Sequence, residues 1–275
     1  MTVVTETAFA KINLALHVRA RRHDGYHEIE SLFAFLDDGD RIAVEPAETL
    51  MLSIGGPFAD ALSADDDNLV LRAARAIKAW FDVASGAHIR LEKRLPIAAG
   101  LGGGSADAAA AARALNAFWN LGADEGTLAR IVGGLGADVP ACIASRTAIG
   151  RGIGDVLEPV DMTAVSGVPI LLVNPMKPCP TGPVYQGWDG ADRGSIAVHR
   201  SAWRNDLTAS AVAQVPDIGM VLYMLTQAHG TGQVAMSGSG ATCFALFDTE
   251  AARDEARAEI AEMQPGWWVM TGRLR

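Results

Sequence analysis

The most informative segment of this sequence is rich in glycine and reads Pro96-Ile97-Ala98-Ala99-Gly100-Leu101-Gly102-Gly103-Gly104-Ser105-Ala106. Apolar side chains alternate in residues 88–95 before it and predict a strand. Residues from about 105 to 119 after it are rich in alanine and predict a helix. Glycines at such a junction let backbone N–H groups approach an anion, and the helix start adds unpaired N–H groups. The segment therefore predicts a phosphate-binding loop, in which Ser105 either caps the helix or turns its hydroxyl group toward phosphate or Mg²⁺.

The two best-known phosphate-binding patterns do not describe this segment. The chain has no Gly-Lys-Ser or Gly-Lys-Thr, so it carries no P-loop. No G-x-G-x-x-G fits the segment, which excludes a dinucleotide fingerprint. A flexible loop followed by a capped helix is the alternative interpretation, but four glycines in residues 100–104 make it the weaker one.

Two more glycine-rich stretches favour a protein that packs its backbone around a polyanion. Gly133–Pro140 places the carboxylate of Asp138 after the end of a predicted helix, and Ser237–Thr242 lies between two predicted strands. Each stretch alone is more often a turn than a site. The three together strengthen the prediction of a phosphate-bearing ligand.

Length and composition indicate a globular chain with one large domain or two ordinary ones. The chain has 275 residues, of which 49% are hydrophobic, and its formal net charge is −9. Such a surface repels the phosphates of nucleic acids, so nucleic acid is a poor candidate partner. From residue 169 the predicted order of strand, helix, strand, strand, helix and strand is typical of a ferredoxin-like domain. We therefore expect domains at residues 1–160 and 161–275.

Periodicity predicts the elements of the first half. Ile12, Leu14, Leu16 and Val18 alternate and predict a strand with one buried face. Two further strands are predicted at 29–36 and 41–44, with Asp38-Gly39-Asp40 as a turn between them. Asn68 is a candidate N-cap for a helix that extends to about residue 80.

Cysteine usage and hydropathy predict a cytoplasmic protein without a structural metal. The cysteines Cys142, Cys179 and Cys243 are odd in number and widely spaced, so free thiols are expected rather than disulfides or a zinc site. No signal peptide is expected, because the first basic residue, Lys11, lies inside the first apolar run and no basic segment precedes it. No membrane-spanning segment is expected, because the longest apolar stretches are far too short to cross a bilayer.

With these three glycine-rich segments, the chain resembles the GHMP kinases, the family of galactokinase, homoserine kinase, mevalonate kinase and phosphomevalonate kinase. That family has an N-terminal motif with a polar pair, a phosphate loop of the pattern P-x-x-x-G-L-G-[SG]-[SG]-S and a C-terminal glycine-rich motif. Here these are similar to Lys11 with Asn13, Pro96–Ser105 and Ser237–Thr242. The resemblance departs at Ala98-Ala99, where some relatives are expected to be richer in glycine.

This resemblance implies an α+β fold and an ATP-dependent small-molecule kinase. The N-terminal domain would be similar to domain 2 of ribosomal protein S5 and would hold ATP with the loop from Pro96 to Ala106, and the C-terminal domain would be ferredoxin-like. The resemblance also implies that Mg²⁺ accompanies ATP. Asp138 would accept or orient the proton of the acceptor hydroxyl group, and Lys11 would lie beside Asp138 and the γ-phosphate. From the residues alone, a strand-end lysine in water is the weaker interpretation of Lys11, because it lies in an alternating apolar strand beside Asn13. For Asp138, a helix-end or turn residue is the stronger interpretation from the residues alone.

Four further segments are similar to one branch of the family, whose acceptor is linked to cytidine diphosphate. They are Ala10–Leu14, Asp24–Ile29, Gly136–Pro140 and Asn205–Leu207. The resemblance implies that Tyr26 and Tyr185 stack on cytosine, that His27 hydrogen-bonds the edge of the base, and that Asn13 binds the substrate.

Each of these four residues also has a purely structural interpretation. Tyr26 could be a turn aromatic that covers the core, His27 an exposed imidazole, and Tyr185 an aromatic that packs on Pro183. Asn13 could satisfy backbone groups beside Lys11. The basic run from Arg19 to Arg22 is a candidate diphosphate contact, although a solvated turn is the stronger interpretation.

Two other functions stay open from the sequence. One is a GHMP kinase that acts on homoserine or a mevalonate-type acceptor, although a base-recognising pair such as Tyr26 and His27 would have no use there. The other is a metabolite sensor with the same fold and no activity, which would be expected to have lost Lys11, Ser105 and Asp138. A monomer and a weak homodimer are both compatible with the composition.

Overall fold

The computed structural model describes residues 3–65, 67–197 and 203–275, and it forms two compact units. The first unit comprises Met1–Lys11, Asp38–Ile97 and Gly102–Ser145. The second comprises Ile12–Asp37, Ala98–Leu101 and Arg146–Arg275. Both units are therefore assembled from separate stretches of chain. The expected boundary near residue 160 stays a prediction.

The elements of the first half follow the order strand, strand, strand, helix, strand and then helices. They are β1 (Val4–Arg21), β2 (His27–Glu45), β3 (Leu50–Gly55), α1 (Leu69–Trp80), β4 (Ala87–Glu92), α2 (Gly103–Phe118), α3 (Glu125–Val132) and α4 (Val139–Ala144). The elements of the second half are β5 (Ala148–Arg151), β6 (Val156–Pro159), β7 (Pro169–Asn174), α5 (Thr181–Gln186), α6 (Thr208–Gln214), α7 (Asp217–Gln227), β8 (Thr231–Met236), β9 (Cys243–Phe247), α8 (Glu250–Met263) and β10 (Trp268–Arg273).

In the first unit, helices α1 and α2 bury their apolar faces. The end of β2 pairs antiparallel with β4, and β3 pairs parallel with β4. The side chain of Asn68 accepts a hydrogen bond from Val70 N at 2.9 Å, which confirms the predicted N-cap of α1. The alanines from Ala108 to Ala112 in α2 are fully buried, because small side chains let neighbouring elements approach the helix closely.

The predicted turn at Asp38-Gly39-Asp40 is wrong, because β2 runs through it without interruption. A Cβ atom on Gly39 would lie 2.0 Å from the carbonyl oxygen of Ala8, so the glycine serves a close approach of two strands. The side chain of Asp38 binds Arg94 and that of Asp40 binds Lys93. In β2, these three residues of types common in turns instead allow close strand packing and form ion pairs.

In the second unit, strands β7 to β10 form an antiparallel sheet in the order β10-β7-β9-β8. With α7 and α8 this arrangement confirms the predicted ferredoxin-like domain. The core contains apolar side chains of β1, β2, β7, β9, α7 and α8, including Leu16, Ile29, Leu171, Val221 and Ile260. The start of β2 pairs with β5, and β5 pairs with β6.

The short helices α4, α5 and α6 were not predicted from the sequence. Prolines mark α4 and α5, and a proline is tolerated in a first turn because the N–H groups there have no partner within the helix. The three cysteines are buried and free, as expected. None of the helices in the described ranges combines the length and hydrophobicity needed to cross a membrane.

Candidate active site

Lys11 and Asp138 form an ion pair in the first unit. Lys11 Nζ lies 3.2 Å from Asp138 Oδ2. The lysine side chain is 5% exposed and the aspartate side chain 32% exposed, so solvent reaches the pair from the carboxylate side. Burial of an ammonium group is costly without an opposite charge, which explains why the carboxylate lies there. The pair therefore places a partly exposed carboxylate next to an ammonium group.

Asp138 is held at the start of α4. It is the residue immediately before the helix, and its side chain makes no capping hydrogen bond to that helix. The carboxylate is therefore turned toward Lys11. Pro140 lies in the first turn of α4 and fixes the backbone there.

The phosphate loop meets this ion pair through Gly102. Gly102 has φ of 61°, in the left-handed region that favours glycine. A Cβ atom on it would lie 3.0 Å from Lys11 Cε and 3.4 Å from Asp138 Oδ2. Helix α2 begins at Gly103, so its free N–H groups start beside the pair. An anion at this point would meet a helix N-terminus and an ammonium group together.

The interpretation of Ser105 as the cap of this helix is wrong. The helix begins two residues earlier than predicted, and Gly102 is its N-cap. Ser105 is instead the third helical residue, partly exposed, and its hydroxyl oxygen lies 3.4 Å from the position of a Cβ atom on Gly136. The second alternative for Ser105, an interaction with phosphate or Mg²⁺, stays a prediction.

A buried charge cluster, which the sequence did not reveal, supports the start of α2. Lys93 Nζ donates hydrogen bonds to Asp40 Oδ2 and Asp107 Oδ2, each 2.6 Å long. Asp40 Oδ1 also accepts from the backbone N–H groups of Arg94 and Leu95. A Cβ atom on Gly103 would lie 3.0 Å from Lys93 Nζ. Lys93, Asp40 and Asp107 thus tie β2, β4 and α2 together beneath the loop.

The electrostatics of the cluster are unbalanced, because two carboxylates share one ammonium group. Burial and the charge of Asp40 raise the pKa of Asp107 to about 8, against the opposing effect of Lys93. Burial lowers the pKa of Lys93, but the charges of Asp107 and Asp40 outweigh burial and raise it above its usual value. Among the described residues, the Oδ1 atom of Asp107 is buried without a hydrogen-bond partner.

A pocket of about 280 Å³ opens beside this cluster in the first unit. Asn68, Leu91, Gly104 and Asp107 contribute to its lining. Its walls combine apolar side chains with a few polar groups, as is usual for small-ligand sites. The pocket adjoins the loop because Gly104 belongs to both.

In the second unit, the loop residues 98–101 are fastened by Ser237. The hydroxyl group of Ser237 donates to Gly100 O at 2.8 Å and accepts from Asn13 N at 3.1 Å. Ala98 adopts φ of 52°, a conformation that glycine reaches more easily than alanine does. The Asn13 side chain donates to Ser31 Oγ, so it has a structural partner. Its role toward substrate stays a prediction.

An aromatic group in the second unit surrounds His27. The ring centroid of His27 lies 5.0 Å from that of Tyr185 and 5.9 Å from that of Trp188, the latter edge-on. His27 is 9% exposed, so its interpretation as an exposed imidazole is wrong. Burial and the nearby charge of Arg21 lower the pKa of His27, which keeps the ring neutral with one donor and one acceptor nitrogen.

Tyr26 does not cover the core, because 61% of it is exposed. It stands next to His27 in the chain and leaves its ring open to a ligand. Tyr185 is partly buried against the core of the second unit. The roles of Tyr26, His27 and Tyr185 in base recognition stay predictions.

The arginines from 19 to 22 bind groups of the protein itself. Arg19 pairs with Glu30 and Asp192, and Arg22 pairs with Asp24 and Glu28. Arg21 donates to the carbonyl oxygens of residues 186 and 188. These pairings favour a structural role for the run.

A metal ion at this site would need ligands from a bound substrate in addition to those from the protein. Within residues 3–65, 67–197 and 203–275, no three acidic, histidine or cysteine side chains converge to form a metal site. Mg²⁺ usually takes only one or two protein carboxylates and completes its shell with phosphates and water. The oxygen atoms of Ser105 and Asp138 are donors of the type that this ion prefers.

Comparisons with known proteins agree with this arrangement. The family model for the GHMP kinases N terminal domain matches residues 68–146, and that for the GHMP kinases C terminal domain matches residues 195–266. A 4-diphosphocytidyl-2-C-methyl-D-erythritol kinase from Sphingopyxis alaskensis is 52% identical over 98% of this chain and 98% of its own length. One from Rhizorhabdus wittichii is 50% identical over 98% of this chain and 94% of its own.

A solved structure is similar over almost the whole chain as well. It is a crystal structure of 4-(cytidine 5'-diphospho)-2C-methyl-D-erythritol kinase, with a TM-score of 0.82 and 34% identity. The alignment covers 98% of each chain.

Proposed function

The chain belongs to the GHMP kinase family, and on this premise we propose that it transfers the γ-phosphoryl group of ATP to a hydroxyl group of 4-diphosphocytidyl-2-C-methyl-D-erythritol, forming the 2-phosphate. Members of this family are ATP-dependent small-molecule kinases. The acceptor is that of relatives 50% and 52% identical over nearly the full chain. The reaction would serve the non-mevalonate route to isoprenoid precursors.

The Lys11–Asp138 ion pair beside Gly102 is the observation that carries the proposed chemistry. Phosphoryl transfer requires alignment of the two oxygens and neutralisation of charge more than covalent chemistry. The acceptor oxygen attacks the γ-phosphorus, the bond to the β–γ bridging oxygen breaks, and ADP leaves. Asp138 accepts the proton of the acceptor hydroxyl group or orients it, and Lys11 offsets the charge on the transferred group.

The loop and the pocket beside it would hold the donor. The phosphates of ATP lie against the N–H groups at the start of α2, where the helix dipole favours negative charge. Adenine occupies the pocket lined by Asn68, Leu91 and Asp107.

Mg²⁺ would be held by the ATP phosphates together with Ser105. When bound, it supplies neutralisation of phosphate charge. Cytosine would stack on Tyr26 and Tyr185, and neutral His27 would contact its polar edge. Stacking of this kind contributes about 1–3 kcal/mol per base. The cytoplasmic location and the choice between monomer and weak homodimer stay predictions.

A turnover assay tests the proposed function directly. The chain is supplied with ATP and Mg²⁺ and with one acceptor at a time: the cytidyl substrate, homoserine or mevalonate. We expect ADP formation only with the cytidyl substrate. Turnover of homoserine or mevalonate without turnover of the cytidyl substrate would overturn the assignment of the acceptor. Absence of turnover with all three would overturn the kinase activity itself.

A further inference from the structure

The turn Ser237–Thr242, between β8 and β9, is fastened to the phosphate loop at its two ends. The Ser237 hydroxyl group joins Gly100 O and Asn13 N, as described above. At the other end, Thr242 N donates to Ala99 O at 3.3 Å. These contacts lie in the second unit and hold residues 99 and 100 of the phosphate loop.

The middle of the same turn is fastened to a different element. Ser239 Oγ lies 2.9 Å from Thr181 Oγ1, a hydrogen-bonding distance for two hydroxyl groups. The Cys179 thiol also donates to Ser239 O. Thr181 is the first residue of α5, and Ser239 is only 7% exposed. One short turn therefore touches both the phosphate loop and the start of α5.

Helix α5 carries part of the aromatic group around His27. Tyr185 lies near its end, and Trp188 is the second residue after it. The helix is held in the middle by Ser210 Oγ, which donates to Val184 O at 2.8 Å. Beyond its end, Arg21 donates to Trp188 O at 2.6 Å. The Ser239–Thr181 contact is the attachment at its start.

We propose that the hydroxyl pair of Ser239 and Thr181 is a positioning contact for the acceptor, which makes one turn responsible for placing both substrates. The inference rests on the proposed function, because it assigns the aromatic group to the cytidine part of the acceptor. A helix of six residues has almost no stability of its own, so its position depends on the contacts at its ends. Loss of the contact at Thr181 leaves Tyr185 less well fixed against His27.

The alternative is that the hydroxyl pair only stabilises the folded chain. A purely structural contact would affect the Michaelis constants for both substrates equally or affect neither. A positioning contact raises the KM for the acceptor and leaves the KM for ATP unchanged, since Ser237 still holds the phosphate loop. A further alternative is that the exposed Thr181 side chain binds the acceptor directly. In that case loss of the Ser239 hydroxyl group would not change the acceptor KM, because Ser239 is buried.

Two single variants and their combination test the proposal. Thr181→Val and Ser239→Ala each remove one hydroxyl group of the pair. A net hydrogen bond contributes about 0.5–1.5 kcal/mol, so each variant should raise the acceptor KM about two- to tenfold. The KM for ATP should stay within about twofold of wild type. The double variant should be no worse than either single variant, because the two groups act through one contact.

A rescue variant and a control variant distinguish a defect in folding from a defect in positioning the acceptor. Thr181→Ser retains the hydroxyl group and should restore the wild-type acceptor KM. Thr226→Val removes a comparable hydroxyl group, which donates to Leu222 O within α7, and should change neither KM. Cytidine 5'-diphosphate serves as a binding probe in calorimetry, and its affinity should fall by the same factor as the acceptor KM rises.

Three results would overturn the proposal. They are an unchanged acceptor KM in Thr181→Val, an equal rise of both KM values, or additive effects in the double variant. Each is measured against wild-type protein that turns over the cytidyl substrate. If the wild type has no such turnover, the proposed function itself fails, which distinguishes the two failures.

Discussion

Lys11 shows at the scale of a residue how burial pairs a charged side chain with an opposite charge. Burying an ammonium group is costly without an opposite charge, and the carboxylate of Asp138 lies 3.2 Å from the side chain of Lys11, a residue that is 4% exposed. The lysine and the phosphate loop are separated by about 90 residues in the chain, yet Gly102 lies against the Lys11 side chain. The alternation of apolar residues showed that Lys11 is in a strand, but only the packing shows what it faces.

Replacement of Asp138 should stop turnover without unfolding the chain. Asp138→Asn keeps the size of the side chain and removes the proton acceptor, so kcat should fall about 10²–10⁴-fold. Steady-state kinetics at saturating ATP and acceptor measure the loss. The matched control is Asp60→Asn, an exposed aspartate of the same unit, which should leave kcat unchanged. A wild-type kcat in Asp138→Asn would refute the proposed role as proton acceptor.

Gly102→Ala separates the strain of a left-handed backbone from its effect on the site. Alanine at a positive φ costs about 1–2 kcal/mol, and its Cβ would press on Lys11. Gly122→Ala is the control, because Gly122 also has positive φ and a Cβ there would meet no atom within 4 Å. Both variants should lose similar stability in urea unfolding, but only Gly102→Ala should lose kcat. Equal kcat in the two variants would contradict the proposed contact with the ion pair.

At the scale of elements, the Lys93 cluster shows what local patterns do not reveal. Asp40 and Lys93 are 53 positions apart, and their meeting depends on the pairing of β2 with β4. The Asp-Gly-Asp sequence resembles a turn, whereas the ion pairs and the close approach at Gly39 hold it in a strand. Helix α1 was predictable because the residues that form its N-cap and its apolar face lie within about a dozen consecutive positions. Contacts between distant elements leave no such local signal.

The cluster should make stability depend on pH through Asp107. A carboxyl group with a folded-state pKa near 8, instead of 3.8, binds its proton more tightly in the folded chain. The free energy of unfolding therefore falls as pH rises from the unfolded-state pKa toward the folded-state pKa. Lys93 adds no slope there, since it is protonated in both states below pH 8.

Asp107→Asn should remove this slope. Urea unfolding at pH 6 and pH 8 measures it, and the variant should lose less stability than wild type between these two values. Thermal unfolding at pH 6 serves as the control for packing, since asparagine has nearly the shape of a protonated aspartate. An identical pH dependence in the two proteins would show that Asp107 is ionised throughout this range.

At the scale of the whole molecule, the family and its fold were predictable because motifs and periodicity are local, and the comparisons confirm both. The layout of the chain was not, since both units collect segments from distant parts of the sequence. Leu16, Val18 and Ile29 belong to the core of the second unit although they lie near the N-terminus. An apolar residue in a strand predicts burial, but it does not say in which core the residue is buried.

The fragment 161–275 should therefore fail to fold by itself. It lacks the segments Ile12–Asp37 and Ala98–Leu101, and with them the β1 and β2 side chains of its core. Urea unfolding followed by circular dichroism should show no cooperative transition for the fragment, whereas the full chain shows one. A cooperative transition in the fragment would support an autonomous domain at the boundary expected near residue 160.

Because the second unit is discontinuous, the two units are completed at different times during synthesis on the ribosome. All residues of the first unit have been synthesised when Ser145 is added, but the second unit must wait for the 130 residues up to Arg275. At about 5–20 residues per second this interval lasts roughly 6–26 s. Throughout it, Leu16, Val18 and Ile29 lack the side chains of β7 and β9 with which they form a core. We therefore expect slower translation to lengthen the time during which the incomplete second unit is at risk of aggregation.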